Sequence, residues 1–372
     1  MIETQAIIDR RYMTRALKLA AKGLYTTTPN PSVGCVLVKD GEIVGEGYTQ
    51  PAGGGHGEVV ALTAAGDNAK GATAYVTLEP CSHFGRTPPC CNGLITAGVI
   101  RVVAAMEDPN PVVLSSGLAK LRAAGVLVES GLLEAQAKQF LAGFYQRMTN
   151  GVPKVIVKLA SSLDGRTAMA SGESQWITGP QARYQVQKLR AASCAIITGI
   201  DSILQDDSSL TVRVDDWSEP YGSDIVRQPL RIVLDSNLKI PLDAKILQQD
   251  GITLIVCVCD NTEKQQQLEA AGISVLKLAA HNGRPDLTAL LQWLAKEKGC
   301  NQVMVEAGAT LSGAFVEQGL VDELHVFQAP VLLGASAKPL LNLEFTAMID
   351  KVSLELIDSH KVGNDTWLRY RC

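Results

Sequence analysis

Between residues 154 and 318 the chain alternates short apolar runs with segments of helical period, and nothing else in it constrains the fold as strongly. "KVIVKLA", "CAIITG", "LRIVLDS", "ITLIVCVC", "ISVLKLA" and "NQVMVEAG" are of strand length and apolar on both sides of the pleat. "RYQVQKLRAA", "KQQQLEAAG", "LTALLQWLAKEKG" and the glycine-flanked "ATLSGAFVEQG" are helical. Strands separated by helices pair in parallel, with helices over both faces. Ligands of such sheets bind at the carboxyl ends of the strands.

The preceding stretch is also α/β, in another order. Residues 9–22 have helical spacing, and "SVGCVLVKDGEIVGEGY" reads as two strands joined at Asp40-Gly41, a hairpin signal. A helix ("GEVVALTAAG"), a strand ("ATAYVTLEP"), a helix ("CCNGLITAG"), a strand ("VIRVVAAM") and a helix–strand pair ("GLAKLRAAGVLVE") follow. "MTNGVPKV" breaks the pattern with turn residues. At 372 residues the chain exceeds the roughly 250–300 that one core serves. The expected organisation is a domain over 1–147, a linker over 148–152 and a domain over 153–372.

Composition excludes some functions. A chain with 46 % hydrophobic residues and a net charge of −4 lacks the basic balance of a broad nucleic-acid surface, but leaves room for a local pocket for a small phosphorylated ligand. The N-terminus reads as neither a signal peptide nor a membrane span. A cytoplasmic protein without a membrane or nucleic-acid partner is expected. Of the nine cysteines, Cys35, Cys194, Cys257 and Cys259 lie in apolar strand-like stretches and read as reduced, buried thiols.

Cys81, Cys90 and Cys91 differ because of their neighbours. "GGGHGEVVAL" places His56 and Glu58 at the start of a helix, and "LEPCSHFGRTPPCC" places Cys81 and Cys90 each after a proline. A catalytic zinc takes three protein ligands of imidazole and thiolate type and leaves a fourth position for water. His56, Cys81 and Cys90 supply that set, with Cys91 as the alternative to Cys90. Glu58 is placed to carry a proton from water to a leaving amine. The pattern is that of zinc deaminases, H-x-E followed by P-C-x-x-C, with eight residues rather than two between the cysteines. In that insertion His83 and Arg86 suit a polar ring or a phosphate, and Asn30, in a turn before a strand, can read a base.

The later half has no G-x-G-x-x-G. "VEAGATLSGAF" instead ends a strand in a glycine turn that opens a helix, where backbone N–H groups and the Thr310 and Ser312 hydroxyls can hold a pyrophosphate. Arg190 and Arg213 can clamp a sugar phosphate, and Asp206 can relay a proton during hydride transfer.

"TTPNPSVGCVLV", "HGEVVAL", "TLEPCSHFGRTPPC" and "EDPNP", in that order, resemble the deaminase half of the bifunctional deaminase/reductases of riboflavin biosynthesis, and the later stretches resemble their reductase half. The resemblance covers almost the whole chain. It implies a cytidine-deaminase-like zinc domain followed by a dihydrofolate-reductase-like α/β domain. It further implies zinc on His56, Cys81 and Cys90, Glu58 as proton carrier, and Asn30, His83, Arg86, Asp108 and Asn110 in the pyrimidine nucleotide site. In the reductase half it places Ala160, Trp176, Ser202, Asp206, Ser236 and the run Gly308, Ala309, Thr310, Leu311, Ser312, Gly313 and Ala314 on NADPH. Ser174, Arg190, Leu210, Arg213 and Glu306 would bind substrate, and a homo-oligomer is expected.

The chain departs from the family pattern at Thr49, where a histidine is expected, and at Gly55 and Gly57, where proline and alanine are common. Ala307 and Ser202 replace a common glycine and threonine. The ligands survive, so an active deaminase with a reshaped pocket is expected. The competing readings are a nucleic-acid base deaminase with an accessory domain and a non-catalytic, zinc-stabilised binding protein.

Overall fold

The computed structural model describes residues 4–84, 88–111, 114–213 and 227–372, which fall into two units dividing between residues 151 and 152. The first unit runs α1 (Gln5–Lys22), β1 (Gly34–Lys39), β2 (Glu42–Tyr48), α2 (Gly57–Ala65), β3 (Thr73–Val76), α3 (Cys90–Thr96), β4 (Arg101–Ala104), α4 (Ser116–Ala123), β5 (Leu127–Ser130), α5 (Glu134–Phe140) and α6 (Ala142–Asn150). Its sheet has the order β2-β1-β3-β4-β5, with β1 antiparallel to both neighbours and β3, β4 and β5 parallel. Asp40 and Gly41 both take positive φ, as a two-residue hairpin turn requires. Helix α6 continues to Asn150 and ends at left-handed Gly151, so the break falls inside the segment expected as linker, at its last residues.

Glycine decides how closely helices approach this sheet. Gly45 and Gly47 alternate along β2 and so share one face. A Cβ on either would lie 2.3 Å from a backbone oxygen of α2, that of Ala61 or of Gly57. Gly34 of β1 faces the other way, where a Cβ would meet Ala16 O of α1 at 1.9 Å. The two helices therefore rest backbone-on-backbone against opposite faces. At its other end α1 is tied down by buried Asp9, whose carboxylate accepts from Arg101 Nη1 (2.9 Å), Arg101 Nη2 (2.7 Å) and the Tyr75 hydroxyl (2.6 Å). The Arg101 hydrogen bonds, outweighing burial, hold the Asp9 carboxyl down at about 2.

The second unit runs β6 (Lys154–Ser161), β7 (Arg166–Ala168), α7 (Pro180–Ala192), β8 (Ala195–Gly199), α8 (Ile200–Asp206), β9 (Leu230–Leu234), β10 (Thr253–Cys257), α9 (Thr262–Ala270), β11 (Ser274–Lys277), β12 (Ala280–His281), β13 (Arg284–Pro285), α10 (Leu287–Glu297), β14 (Gln302–Val305), α11 (Ala309–Glu317), β15 (Glu323–Gln328), β16 (Lys338–Pro339), β17 (Glu355–Val362) and β18 (Asp365–Arg371). The main sheet, β11-β10-β9-β8-β14-β6-β15-β18-β17, is parallel from β11 through β15, as the alternation predicts. Successive residues feed opposite faces. Ile197, Val256 and Val305 pack with Leu290 and Leu294 of α10 and Phe315 of α11, whereas Ile196, Ile255 and Met304 pack with Ile203 of α8 and Leu268 of α9. Each such fully buried aliphatic side chain contributes about 1.5–3 kcal/mol. The antiparallel β17–β18 hairpin closes one side, and its mostly polar, exposed β17 is a sheet edge.

Candidate active sites

In the first unit the chemistry sits beyond the carboxyl end of β3, where the N-termini of α2 and α3 converge. His56 is the N-cap of α2 and Cys90 opens α3. His56 Nδ1 lies 3.6 Å from Cys81 Sγ and 3.3 Å from Cys90 Sγ, and all three donor atoms fall within 4.8 Å of one another. A tetrahedral zinc with bonds of about 2.0–2.3 Å sets its ligand atoms roughly 3.5–3.8 Å apart, so donor type and spacing both fit that ion. The structure also separates the two neighbouring thiols. Cys91 Sγ points into the hydrophobic core and is fully buried there, while Cys90 faces His56.

The electrostatics are those of two thiols that cannot both ionise unaided. Hydrogen bonding from the Cys90 thiol, then from His56 and the Cys90 N–H, pulls the Cys81 thiol down to about 4, and Cys90, beside that thiolate, is pushed far up. His56 is raised by its bond to Cys81. A dication held by Cys81 and Cys90 would remove this competition by stabilising both as thiolates. Glu58, 3 % exposed, is pushed up to about 7, by burial first and by the Cys81 charge second, while its hydrogen bond with the Cys90 thiol pulls the other way. A carboxyl poised there both takes and returns a proton near neutrality.

Two of the departures from the family pattern, Thr49 and Gly57, converge on Val33. Thr49 Oγ1 accepts from Val33 N–H (3.0 Å), and its own N–H donates to Val33 O (2.9 Å). That same carbonyl stands 2.6 Å from where a Cβ on residue 57 would be. Gly57 is thus required by this packing, whereas a Cβ at Gly55 would make only ordinary contacts, the nearest at 3.5 Å.

Asp108 is nearly buried, accepts from Asn110 N–H at 2.8 Å, and is raised to about 6 by desolvation, with Glu79 and Cys81 raising it further and exposed His83 lowering it. Asn30 is half-buried in a turn closed by its N–H to Thr27 O. Arg86 lies outside the described residues. Sequence reasoning missed Glu79. A carboxylate between Leu78 and Pro80 at a strand end had to be buried and therefore paired, and that was the available signal.

In the second unit a cleft of about 1520 Å³ opens at the carboxyl ends of β6, β8, β9 and β14. Ala160, Trp176, Ser202, Asp206 and Ser236 line it, as do Ser174, Leu210, Arg213 and Glu306. Ser174 Oγ donates to Asp206 Oδ1 at 3.4 Å, and the Arg183 guanidinium lies over the Trp176 ring at 4.4 Å. Helix α11 presents Gly308, Ala309, Thr310, Leu311 and Ala314 to the cleft. Its free N-terminal N–H groups and the surrounding cations suit a dinucleotide's phosphates.

Two expectations need correction. Ser312 is fully buried with its hydroxyl on Ala307 O, and Gly313 packs against Asn342, where a Cβ would meet the carbonyl at 2.4 Å, so neither faces the cleft. Side chains of α11 point in different directions at successive positions, so Ser312 turns inward while Gly313 meets the backbone at Asn342. Arg190 lines the cleft too, and its fork holds Glu306 through Nε and Nη2, each at 2.9 Å, and donates from Nη1 to Thr211 O. Lys158, which sequence reasoning did not single out, reaches the same carboxylate at 3.2 Å. Burial opposes ionisation of Glu306, yet these two cations outweigh it and hold the group well below the usual range. Exposed Arg213 keeps its side chain toward the cleft while its N–H bonds Gln187 Oε1.

Residues 153–368 match the family model of the RibD C-terminal domain, and residues 7–106 match that of the cytidine and deoxycytidylate deaminase zinc-binding region. The riboflavin biosynthesis protein RibD of Escherichia coli is 51 % identical over 97 % of this chain and 98 % of its own, and that of Haemophilus influenzae is 48 % identical over 97 % of each. Among solved structures, Acinetobacter baumannii RibD superposes with a TM-score of 0.91 at 45 % identity, covering 99 % of both chains. The diaminohydroxyphosphoribosylaminopyrimidine deaminase/5-amino-6-(5-phosphoribosylamino)uracil reductase of Thermotoga maritima superposes with a TM-score of 0.86 at 28 % identity, again over 99 % of both.

Proposed function

The chain belongs to the RibD family, the bifunctional deaminase/reductases of riboflavin biosynthesis, and on that premise we propose how its residues divide the work. The first unit deaminates 2,5-diamino-6-(5-phosphoribosylamino)pyrimidin-4(3H)-one with loss of ammonia. The second reduces the ribosyl chain of the product to ribityl, giving 5-amino-6-(5-phosphoribitylamino)uracil. Zinc, when bound, supplies the Lewis acidity that ionises water near neutral pH, and NADPH supplies the hydride. His56, Cys81 and Cys90 hold the zinc. Glu58 moves the proton from water to the departing amine. Asp108, Asn110, Asn30, His83 and Arg86 read the ring and its phosphate. In the cleft, Arg213 takes the sugar phosphate, the α11 N-terminus and Ser236 take the cofactor, and Asp206 beside Ser174 relays the proton. Arg190 and Lys158 act through Glu306, holding it ionised against the substrate.

The observation that carries this reading is the convergence of His56, Cys81 and Cys90, with the buried carboxyl of Glu58 two residues after His56 at the start of the same helix. No helix of the described residues is long and apolar enough to cross a membrane. Met348 and Ile349, 78 % and 90 % exposed ahead of the open edge of β17, support self-association.

The test is mass spectrometry of the product from the diaminopyrimidine ribotide, with and without NADPH, beside Glu58→Gln. The wild type should give the deaminated species alone and the reduced species with NADPH, and the variant neither. Unchanged substrate in every tube, with the pre-deaminated ribotide still reduced, would leave the first unit a non-catalytic binding module.

A further inference from the structure

We propose that Glu79 is a positioning residue of the deaminase: its carboxylate fixes the pocket wall that carries Asp108 and Asn110 to the strand end that carries the metal ligand Cys81. The inference rests on the reading that Asp108 contacts the substrate. Glu79 follows β3, two residues before Cys81, and is 3 % exposed. Its Oε2 accepts from the N–H of Asp108 (3.1 Å) and of Ser115 (3.0 Å), and its Oε1 from the N–H of Gly117 (2.8 Å) and of Leu118 (3.2 Å). Its own N–H donates to Met106 O at 2.9 Å.

One side chain therefore satisfies four backbone donors, at residues 108, 115, 117 and 118. Two of those donors open α4, where a negative charge is favoured by the helix dipole. Gly117 permits the approach, because a Cβ there would fall 2.0 Å from Pro80 O. The order thus set is transmitted to the pocket in one step. The backbone of Asp108 is held by Glu79, and the carboxylate of Asp108 in turn holds Asn110 N–H. Strand end and pocket wall move as one body, so substrate meets its contacts and the metal at a fixed separation.

A residue that acts this way affects binding before chemistry. In Glu79→Gln the amide places N–H groups against two of the four backbone donors, which releases the loop while keeping size. The expected result is a KM for deamination about tenfold higher with kcat within about threefold, full zinc content by atomic absorption, and unchanged reduction of the pre-deaminated ribotide. Because Glu79 works through Asp108, Glu79→Gln added to Asp108→Asn should raise KM no further than Asp108→Asn alone. KM effects that add, or a fall in kcat with KM unmoved, would overturn the inference.

If Glu79→Gln loses zinc or fold, Glu79→Asp decides. It keeps the charge but is one methylene shorter, and the inference holds if that variant retains zinc with a raised KM and falls if it too loses zinc. Asp108→Asn with unaltered KM defeats the pocket reading and this inference with it. Asp108→Asn impaired beside a normal Glu79→Gln defeats the inference alone.

Discussion

The zinc centre and the reduction cleft solve opposite problems. In the first unit the reacting groups are few and held by short stretches of chain, with both cysteines in one fourteen-residue segment and histidine and glutamate on one helix turn. Their arrangement is dictated by the preferences of a cation. In the second unit Lys158, Arg190 and Glu306 come from β6, α7 and the end of β14, up to 148 residues apart, and meet only because the parallel sheet delivers its strand ends to one edge. A metal site is specified by donor type and spacing, which are local; a nucleotide cleft is specified by topology. Damage to the first should therefore be confined, and damage to the second should cost stability as well as activity.

The most severe test of that contrast is Cys90→Ala against Cys91→Ala. The first should abolish zinc binding and deamination while reduction proceeds. The second should keep zinc and deamination and cost roughly 1 kcal/mol of stability through a small core void. Zinc content and the two turnover rates check both, and loss of zinc in Cys91→Ala would reverse the ligand assignment.

Next comes Glu306→Gln. Removing the anion leaves Arg190, which is buried, and half-buried Lys158 without their shared partner, a loss of about 2–4 kcal/mol, below the full cost of breaking a wholly buried pair. Urea unfolding should show that loss, with reduction impaired and deamination retained. A variant of normal stability would mean that these charges are solvated and the cleft is looser than its geometry.

A smaller effect is expected at the glycines before Glu58. Gly57→Ala forces its methyl against the Val33 carbonyl that Thr49 holds, so it should cost about 1–3 kcal/mol and lower deaminase kcat by tilting His56 and Glu58. Gly55→Ala should change neither by a measurable amount, and thermal unfolding with kcat separates them. The same change at both sites would show that the approach of α2 to β1 is not what Gly57 provides.

The smallest effect is the pH dependence of Asp9. Its folded pKa lies below the ordinary 3.8, so its stabilising contribution is complete above that value and is lost as pH falls through about 2. Acid unfolding of wild type should show this segment, and Asp9→Asn should lack it. Equal curves would mean that Arg101 keeps its grip through Glu129 alone, which it also meets at 2.8 Å.

How much was legible follows from the range of each interaction. The parallel pairing within the sheet of the second unit, the Asp40-Gly41 turn and the donor types at His56, Cys81 and Cys90 were all readable, because period, turn chemistry and ligand type act over a few residues. The β17–β18 hairpin was not, since an edge strand such as "ELIDSHKV" has no buried face to impose alternation. Nor was the spread of roles along "GATLSGA", where every residue suits a phosphate turn and only packing against Asn342 and Ala307 turns Gly313 and Ser312 away.

The sequence by itself determined the two α/β patterns and the imidazole, thiolate and carboxylate types that suit a zinc site, because side-chain chemistry and periodicity are written residue by residue. Only the tertiary structure decided that Cys90 rather than Cys91 faces His56, that Arg190 is committed to Glu306, and that Glu79 gathers four backbone N–H groups. Each of those depends on which way a side chain points once distant segments are packed. Direction is set by the pairing of strands and the burial of faces, and no stretch of sequence contains both halves of such a contact.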